Sequence, residues 1–412
     1  MLARSFQLYR NSFSGLSKDV WLLALVTFIN RSGTMVIPFL TIYLTQQLNF
    51  TFVQAGWAMS CWGFGSLSGS YIGGRLTDRF GYYNLMFWTL LANGGMFFLL
   101  MNMTSFWSFC LMVFLLTTIG DAFRPAMMAS LGAYSRPENY TRSLSLIRMA
   151  VNLGFAAGPA VGGFLAVTLG YDWLFMVDGF TCIGAAFLFR NLLSEKPDLQ
   201  KHTDPKATNA TNGSAYKDGL YLFFLALMLL NMIAFMQLFS TVPLFFKQQF
   251  LLNEGQVGGL MAINGLLIAL FEMPMIYLLE NRFAKMMLIS LGAGLVGFSY
   301  LAFNMSLWVG VLGISIILVT FGEIISFPFS NAFALGRSAA HNRGQFMGLY
   351  SMMFATAFII APSLGMWLVQ QFGYAALWYW MAGLSGLAGV GFLFLWKRNS
   401  IFRYFRARRS VA

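Results

Sequence analysis

Polar residues in this chain are few and gathered in short clusters. Between the clusters lie long stretches that are apolar almost throughout, recurring from Trp21 to Trp396. A helix rises about 1.5 Å per residue, so roughly 20 such residues cross a bilayer core. The pattern predicts twelve membrane-spanning helices, at residues 20–46, 53–74, 83–103, 106–132, 144–168, 172–192, 219–246, 255–279, 285–303, 306–334, 345–370 and 374–396. They are numbered as spans 1 to 12 below. Three polar intervals divide the chain. A leader (1–19) precedes a first six-helix bundle (20–193), a linker (194–218) leads to a second bundle (219–396), and a basic tail (397–412) follows. Span 1 is too long for a signal-peptide core and ends in no small-residue cleavage pattern, so it is expected to be retained.

Composition agrees with lipid as the solvent. Of 412 residues 58% are hydrophobic and 10% charged, against roughly a quarter charged in soluble domains. Cys61, Cys110 and Cys182 all fall inside apolar runs without metal-type spacing, so neither a disulfide scaffold nor a metal site is expected. A net charge of +12 would suggest nucleic acid in a soluble protein, but its distribution gives a different reason. Of the 26 Lys and Arg, 22 fall in alternate polar segments, or at the span ends bordering them, that include both ends and the linker, Lys247 alone falls in the opposite set, and Arg31, Arg124 and Arg148 lie deeper within spans. The positive-inside rule then predicts that both termini and the linker are cytoplasmic. The charge is topological, and no nucleic-acid partner is expected.

The two bundles repeat one another. Asp78-Arg79-Phe80 is echoed by Asn281-Arg282-Phe283, Pro159 by Pro362, and Gly170-Tyr171 by Gly373-Tyr374, each 203 residues on; Gly120-Asp121 is echoed by Gly322-Glu323 at 202. Parallel repeats of this kind accompany alternating access around a central site.

Two segments carry a family resemblance. Gly74-x3-Asp78-Arg79-x-Gly81, between spans 2 and 3, resembles the signature loop of the major facilitator superfamily, with Tyr82 and Tyr83 where a basic pair usually stands. Span 5 holds Gly154-x3-Gly158-Pro159-x2-Gly162-Gly163, similar to that superfamily's antiporter motif. Glycines 154, 158 and 162 share one helical face and permit close approach of a neighbour. The resemblance, closest to the drug/proton antiporter branch, implies an all-α major facilitator fold of two pseudo-symmetric six-helix bundles. It also implies that loop 2–3 acts as a gating loop beside span 11, that span 5 packs on span 8, and that spans 1, 4, 7 and 10 line a central cavity.

Charges inside apolar spans are the candidates for chemistry, because each costs roughly 2.5–3.5 kcal/mol to insert. They are Arg31, Asp121, Arg124, Arg148, Asp178, Glu272 and Glu323. Asp121 and Arg124 are three apart and share a helical face, so an Arg31–Asp121–Arg124 cluster in the first bundle is expected to oppose Glu323 in the second. Both histidines, His202 and His341, lie in polar segments, so proton coupling would fall to carboxylates: Glu323 first, then Asp121 and Glu272. Asp121 and Arg124 also read as a structural ion pair, and Glu323 as a hydrogen-bonded structural carboxylate. Arg148 and Glu272 are candidates for a cytoplasmic-side gate, with snorkelling the simpler role for Arg148. Asp178 reads as a helix-end acceptor near the outer interface. Phe28, Met35, Phe39, Phe235, Met236, Gln237, Phe327 and Phe329 are candidate cavity-wall residues, a wall that suits a lipophilic or amphiphilic solute.

The function expected from the sequence is proton-coupled export of such a compound by a monomeric transporter in a prokaryotic inner membrane, with no cofactor beyond the coupling proton. A proton-coupled importer of a sugar, peptide or other metabolite is the alternative on the same fold, and a non-transporting sensor or scaffold the alternative of another class. An enzyme is disfavoured by the lack of a phosphate-binding Gly-rich loop with Lys-Ser/Thr, a His-rich cluster or a nucleophile–base pair.

Overall fold

The computed structural model describes residues 15–136, 139–196, 214–279, 282–305, 308–338 and 342–409, and all their regular structure is helical. The leader up to residue 14, linker residues 197–213, Asn281 and both histidines lie outside the described residues, as do the tail's side chains from Arg398 onward. Ten helical runs are long and apolar enough to cross a membrane. One of them, Gln345–Lys397, spans 53 residues and holds spans 11 and 12, which part at Gly373 (φ 79°). Span 2, the 29-residue helix Phe52–Phe80, has the length but is diluted by glycine and serine, and it completes the twelve.

Three spans are not continuous. Span 1 is two helices, Lys18–Ser32 and Val36–Gln46, separated by Gly33–Met35. Span 4 breaks at Ala122 between Phe106–Asp121 and Phe123–Tyr134. Span 7 breaks at Met236 between Gly219–Phe235 and Gln237–Phe250. Each break frees backbone amides and carbonyls that lipid cannot satisfy, so other protein groups must. The remaining spans are Tyr82–Leu100, Tyr140–Thr168, Asp172–Leu192, Glu254–Leu279, Lys285–Met305 and Gly310–Arg337.

By its contacts the chain forms two compact units. The N-terminal unit comprises Met1–Phe50, Trp57–Thr203 and Asn253–Leu266; the C-terminal unit comprises Thr51–Gly56, Asp204–Leu252 and Leu267–Ala412. Each unit thus includes the first turns of one helix from the other half of the sequence. The start of span 8 joins the N-terminal unit, where a Cβ on Gly258 would lie 2.1 Å from the Pro159 carbonyl oxygen. The start of span 2 joins the C-terminal unit, where a Cβ on Gly56 would lie 2.9 Å from the Pro362 carbonyl oxygen. The two prolines are repeat partners. So are the corners at Gly170 (φ 95°) and Gly373 (φ 79°), where positive φ explains why the Gly-Tyr pair recurs.

Packing rather than exclusion of water holds such helices together. In the N-terminal unit, Leu23, Met86, Phe123, Ile147 and Phe189 belong to one buried cluster. The span 2 face of Gly65, Gly69 and Gly73 lies directly on the backbone of span 4 at Phe114, Thr118 and Ala122. The C-terminal unit is instead built on aromatics. Trp378 stacks on Tyr300 at 5.4 Å, and Phe245 and Phe303 pack on it at 5.0 Å each. Large aromatics such as Trp88, Phe164 and Trp380 stay exposed, as lipid-facing side chains do.

Candidate functional site

The charged cluster predicted in the first bundle forms around two helix breaks. Arg31 sits in the last turn before the break in span 1, half-buried, with its guanidinium carbon 5.8 Å from the centre of the Phe155 ring. It lies near enough to Asp121 and Arg124 to feel both charges. Asp121 is the last residue before the break in span 4. One of its carboxylate oxygens accepts a hydrogen bond from Ser66 Oγ. The other accepts from Arg124 Nη2 at 3.5 Å, a long contact, and the Arg124 side chain is 53% exposed. Span 2's glycine face brings span 4 close enough for Ser66 to reach Asp121.

Asp178 holds the break in span 1. Fully buried on span 6, it accepts from Met35 N at 3.0 and 3.1 Å and from Val36 N at 3.0 Å. It does act as a helix-end acceptor, but the end it caps is the internal start of Val36–Gln46. Its carboxyl oxygens also face the positive end of that helix's dipole.

The span 5 motif serves two neighbours. Its Gly154, Gly158 and Gly162 face the break in span 1: a Cβ on Gly154 would lie 2.5 Å from Arg31 Cβ, one on Gly158 3.2 Å from the Ser32 carbonyl oxygen, and one on Gly162 2.9 Å from Met35 Cβ. Gly163 and Pro159 face span 8, where a Cβ on Gly163 would lie 2.4 Å from the Glu254 carbonyl oxygen. Packing on span 8 is therefore half of what the motif does; the other half sets the position of Arg31.

The signature segment is helical through Phe80, so the expected loop reduces to a corner at Gly81 (φ 78°). Gly74 is open to one side, and Asp78 and Arg79 are exposed. Tyr82 and Tyr83, in place of the basic pair, hold the end of span 6. Tyr82 Oη donates to the Lys196 carbonyl at 2.9 Å and Tyr83 Oη to that of Leu193 at 2.8 Å.

In the C-terminal unit, Glu323 is half-buried midway along Gly310–Arg337. One turn on, the Phe327 ring packs edge-on against Phe235 at 4.8 Å and Phe354 at 5.7 Å. Gln237 is fully buried at the break in span 7. Its Nε2 donates to the Ala361 carbonyl at 2.9 Å and its Oε1 accepts from Thr241 Oγ1 at 2.6 Å. Glu272 is buried in this unit, and Arg148 is exposed in the other.

Sequence reasoning did not single out Ser66 or Phe155. Phe155 fills an unspecified position of the span 5 motif, and Ser66 is one of several small residues of span 2. A further cavity of about 450 Å³ opens on the N-terminal unit between Tyr43, Gln47, Tyr171, Asp172, Asn253 and Glu254. Across it Tyr171 Oη donates to Glu254 Oε1 at 2.5 Å.

A sequence profile of the Major Facilitator Superfamily matches residues 20–357 and 225–409. The Na(+), Li(+), K(+)/H(+) antiporter of Planococcus maritimus is 25% identical over 401 residues, which cover 90% of this chain and 93% of the antiporter. The uncharacterized MFS-type transporter YqjV of Bacillus subtilis (strain 168) is 24% identical over 383 residues, 91% of this chain and 92% of its own. Among solved structures, a POT family transporter in complex with 5-aminolevulinic acid matches with a TM-score of 0.76 at 16% identity, over 92% of this chain and 96% of that one. The human organic anion transporter MFSD10 (TETRAN) matches with a TM-score of 0.67 at 16% identity, over 90% and 98%. Those structural matches carry the fold, and the profile match carries the family. Twelve apolar helices in two repeated units, buried charges at helix breaks and a profile spanning nearly the whole chain lead to one conclusion: this chain is an integral membrane protein of the major facilitator superfamily of transporters.

Proposed function

We propose that the chain exports a small lipophilic or amphiphilic compound in exchange for protons, by alternating access. Glu323 carries this reading. It is a carboxylate half-buried in a 28-residue apolar helix, with aromatic side chains one turn away. A buried carboxylate costs least when it is protonated, so a group in that setting is suited to take up a proton on one side and lose it on the other. Asp121, its near repeat partner, is tied to Ser66 and Arg124 and serves the substrate side. The bias of Lys and Arg supports a plasma membrane protein with both termini in the cytoplasm.

A second reading, exchange of alkali cations for protons, is favoured by the Planococcus maritimus relative. The two arginines beside Asp121 weigh against a bare cation at that cluster. Purified protein in proteoliposomes with an imposed pH gradient separates the two. A gradient-driven flux of a lipophilic dye, unaffected by replacing sodium and potassium with choline, is expected. Dissipation of the gradient on adding sodium or potassium, without dye flux, would favour cation exchange; no effect of the gradient on any flux would overturn both.

A further inference from the structure

The cluster in the N-terminal unit holds two guanidinium groups and one carboxylate, and the carboxylate is already engaged. Asp121 accepts from Ser66 on one oxygen and, at 3.5 Å, from Arg124 on the other. Arg31 makes no side-chain hydrogen bond or ion pair among the described residues; the Phe155 ring at 5.8 Å is its packing partner. An arginine carries five donors, no acceptor and a permanent charge. One such group half-buried among apolar spans, and a second more than half exposed one turn past Asp121, leave two guanidiniums with unused donors for one engaged carboxylate. The position is built rather than incidental. Gly154 admits Arg31 against span 5, and Asp178 fixes the break just beyond it.

We propose that Arg31 and Arg124 bind the anionic group of the transported compound, a carboxylate, sulfonate or phosphate carried on an apolar body that packs on Phe155. The planar fork of a guanidinium matches two oxygens of such a group. A cationic compound would meet two like charges, and a neutral one would leave the donors of Arg31 unused. This deepens the export reading by naming the substrate class and rests on it for the identity of the ligand as cargo. Binding itself is measurable without a proton gradient. An anionic lipid headgroup offers the same chemistry, so the test must separate it from a free organic acid.

The full chain in neutral detergent, free of anionic lipid, is probed by thermal shift and tryptophan fluorescence titration. The probes are 2-naphthoate, 2-naphthamide, 2-naphthylmethylammonium and phosphatidylglycerol. Naphthoate is expected to bind at least tenfold more tightly than the amide or the amine. Arg31→Gln should weaken it by tenfold or more, Arg31→Lys by less, and Arg124→Gln by an intermediate factor. The unliganded melting temperature identifies any variant that does not fold, in which case the other two carry the test. Equal or absent binding of the three naphthyl probes would overturn the proposal, as would naphthoate binding unchanged in Arg31→Gln and Arg124→Gln. An Arg31-dependent shift given by phosphatidylglycerol but not by naphthoate would assign the site to lipid and overturn it as well. Naphthoate binding without proton-driven flux would refute the export reading and leave the anion site standing. Proton-driven flux with preferential binding of the amine would do the reverse.

Discussion

The N-terminal unit breaks span 1 at Gly33–Met35 and satisfies the freed amides with a carboxylate, Asp178. The C-terminal unit breaks span 7 at Met236, 203 residues on, and holds that break with a neutral amide, Gln237, bonded to span 11. The same offset that aligns the breaks pairs Arg31 with Ala234, Arg124 with Phe327 and Asp178 with Met381. Backbone landmarks recur, namely the Gly-Tyr corners and the glycine-on-proline contacts of spans 8 and 2, while these three charges of the first unit have apolar counterparts in the second. Glu323 is the near exception, one residue short of alignment with Asp121. One scaffold thus carries two arrangements, Asp121 bonded to Ser66 and Arg124 in one unit and the half-buried Glu323, one turn from Phe327, in the other.

The capping difference gives the largest expected effect on stability. Asp178→Ala leaves two buried amides without an acceptor, an expected loss of about 3 kcal/mol. Gln237→Ala removes weaker, neutral hydrogen bonds and should cost about 1.5 kcal/mol. Denaturant titration of both variants in detergent checks the order; a larger loss for Gln237→Ala would mean that the Asp178 cap is not what holds the break in span 1.

The glycine contacts come next. A methyl group on Gly258 would lie 2.1 Å from a backbone oxygen and one on Gly56 2.9 Å, whereas nothing lies within 4 Å of one on Gly259. Overpacking of this kind costs about 1–3 kcal/mol. Gly258→Ala is expected near the upper end of that range, Gly56→Ala near the lower, and Gly259→Ala should melt as the wild type does. Equal effects at Gly258 and Gly259 would break the reading of span 8 as a close backbone partner of span 5.

The smallest effect concerns the entries to spans 1 and 7. Ser17, uncharged, accepts from Val20 N at 3.3 Å at the first. Asp218 accepts from Tyr221 N at 3.1 Å at the second, and from Arg337 Nε and Nη2 at 2.5 and 2.8 Å. Burial of Asp218 opposes its ionisation, but the Arg337 hydrogen bonds, the Tyr221 amide and the Arg337 charge together hold its carboxyl below the ordinary value of 3.8. A carboxyl lowered on folding adds stability above its unfolded value, and that stability is lost as pH falls through the lowered one. Asp218→Asn should therefore cost about 1 kcal/mol near neutral pH and flatten the loss of stability below 3.8. Stability curves of mutant and wild type that run parallel below that pH would contradict the assignment.

The spans, the repeat, the motif glycines and the costly charges were all legible in the sequence. Charges at mid-span stand out against apolar neighbours, and glycine and proline mark backbone geometry directly. The breaks in spans 1 and 4 carry a local signal: Pro38 and Pro125 lack the amide that would bond Thr34 and Asp121, four residues back. The break in span 7 was not legible, since Met236 does not differ from its surroundings. Nor was the neighbour that each face of span 5 meets. Lipid-facing and packed faces are both apolar in a membrane helix, so periodicity cannot separate them. Ser66 and Phe155 were hidden for the same reason: each earns its role from the helix it packs against. Asp178 is legible as a helix-end acceptor, but no residue beside it shows that the end it caps belongs to span 1.

The division of labour between the units is tested most directly by Glu323→Gln in proteoliposomes, with flux of one substrate measured both under a pH gradient and as exchange at equal pH. Gradient-driven transport is expected to be lost while exchange continues, because the anion site proposed in the other unit is intact. Gradient-driven transport equal to the wild type would contradict that division.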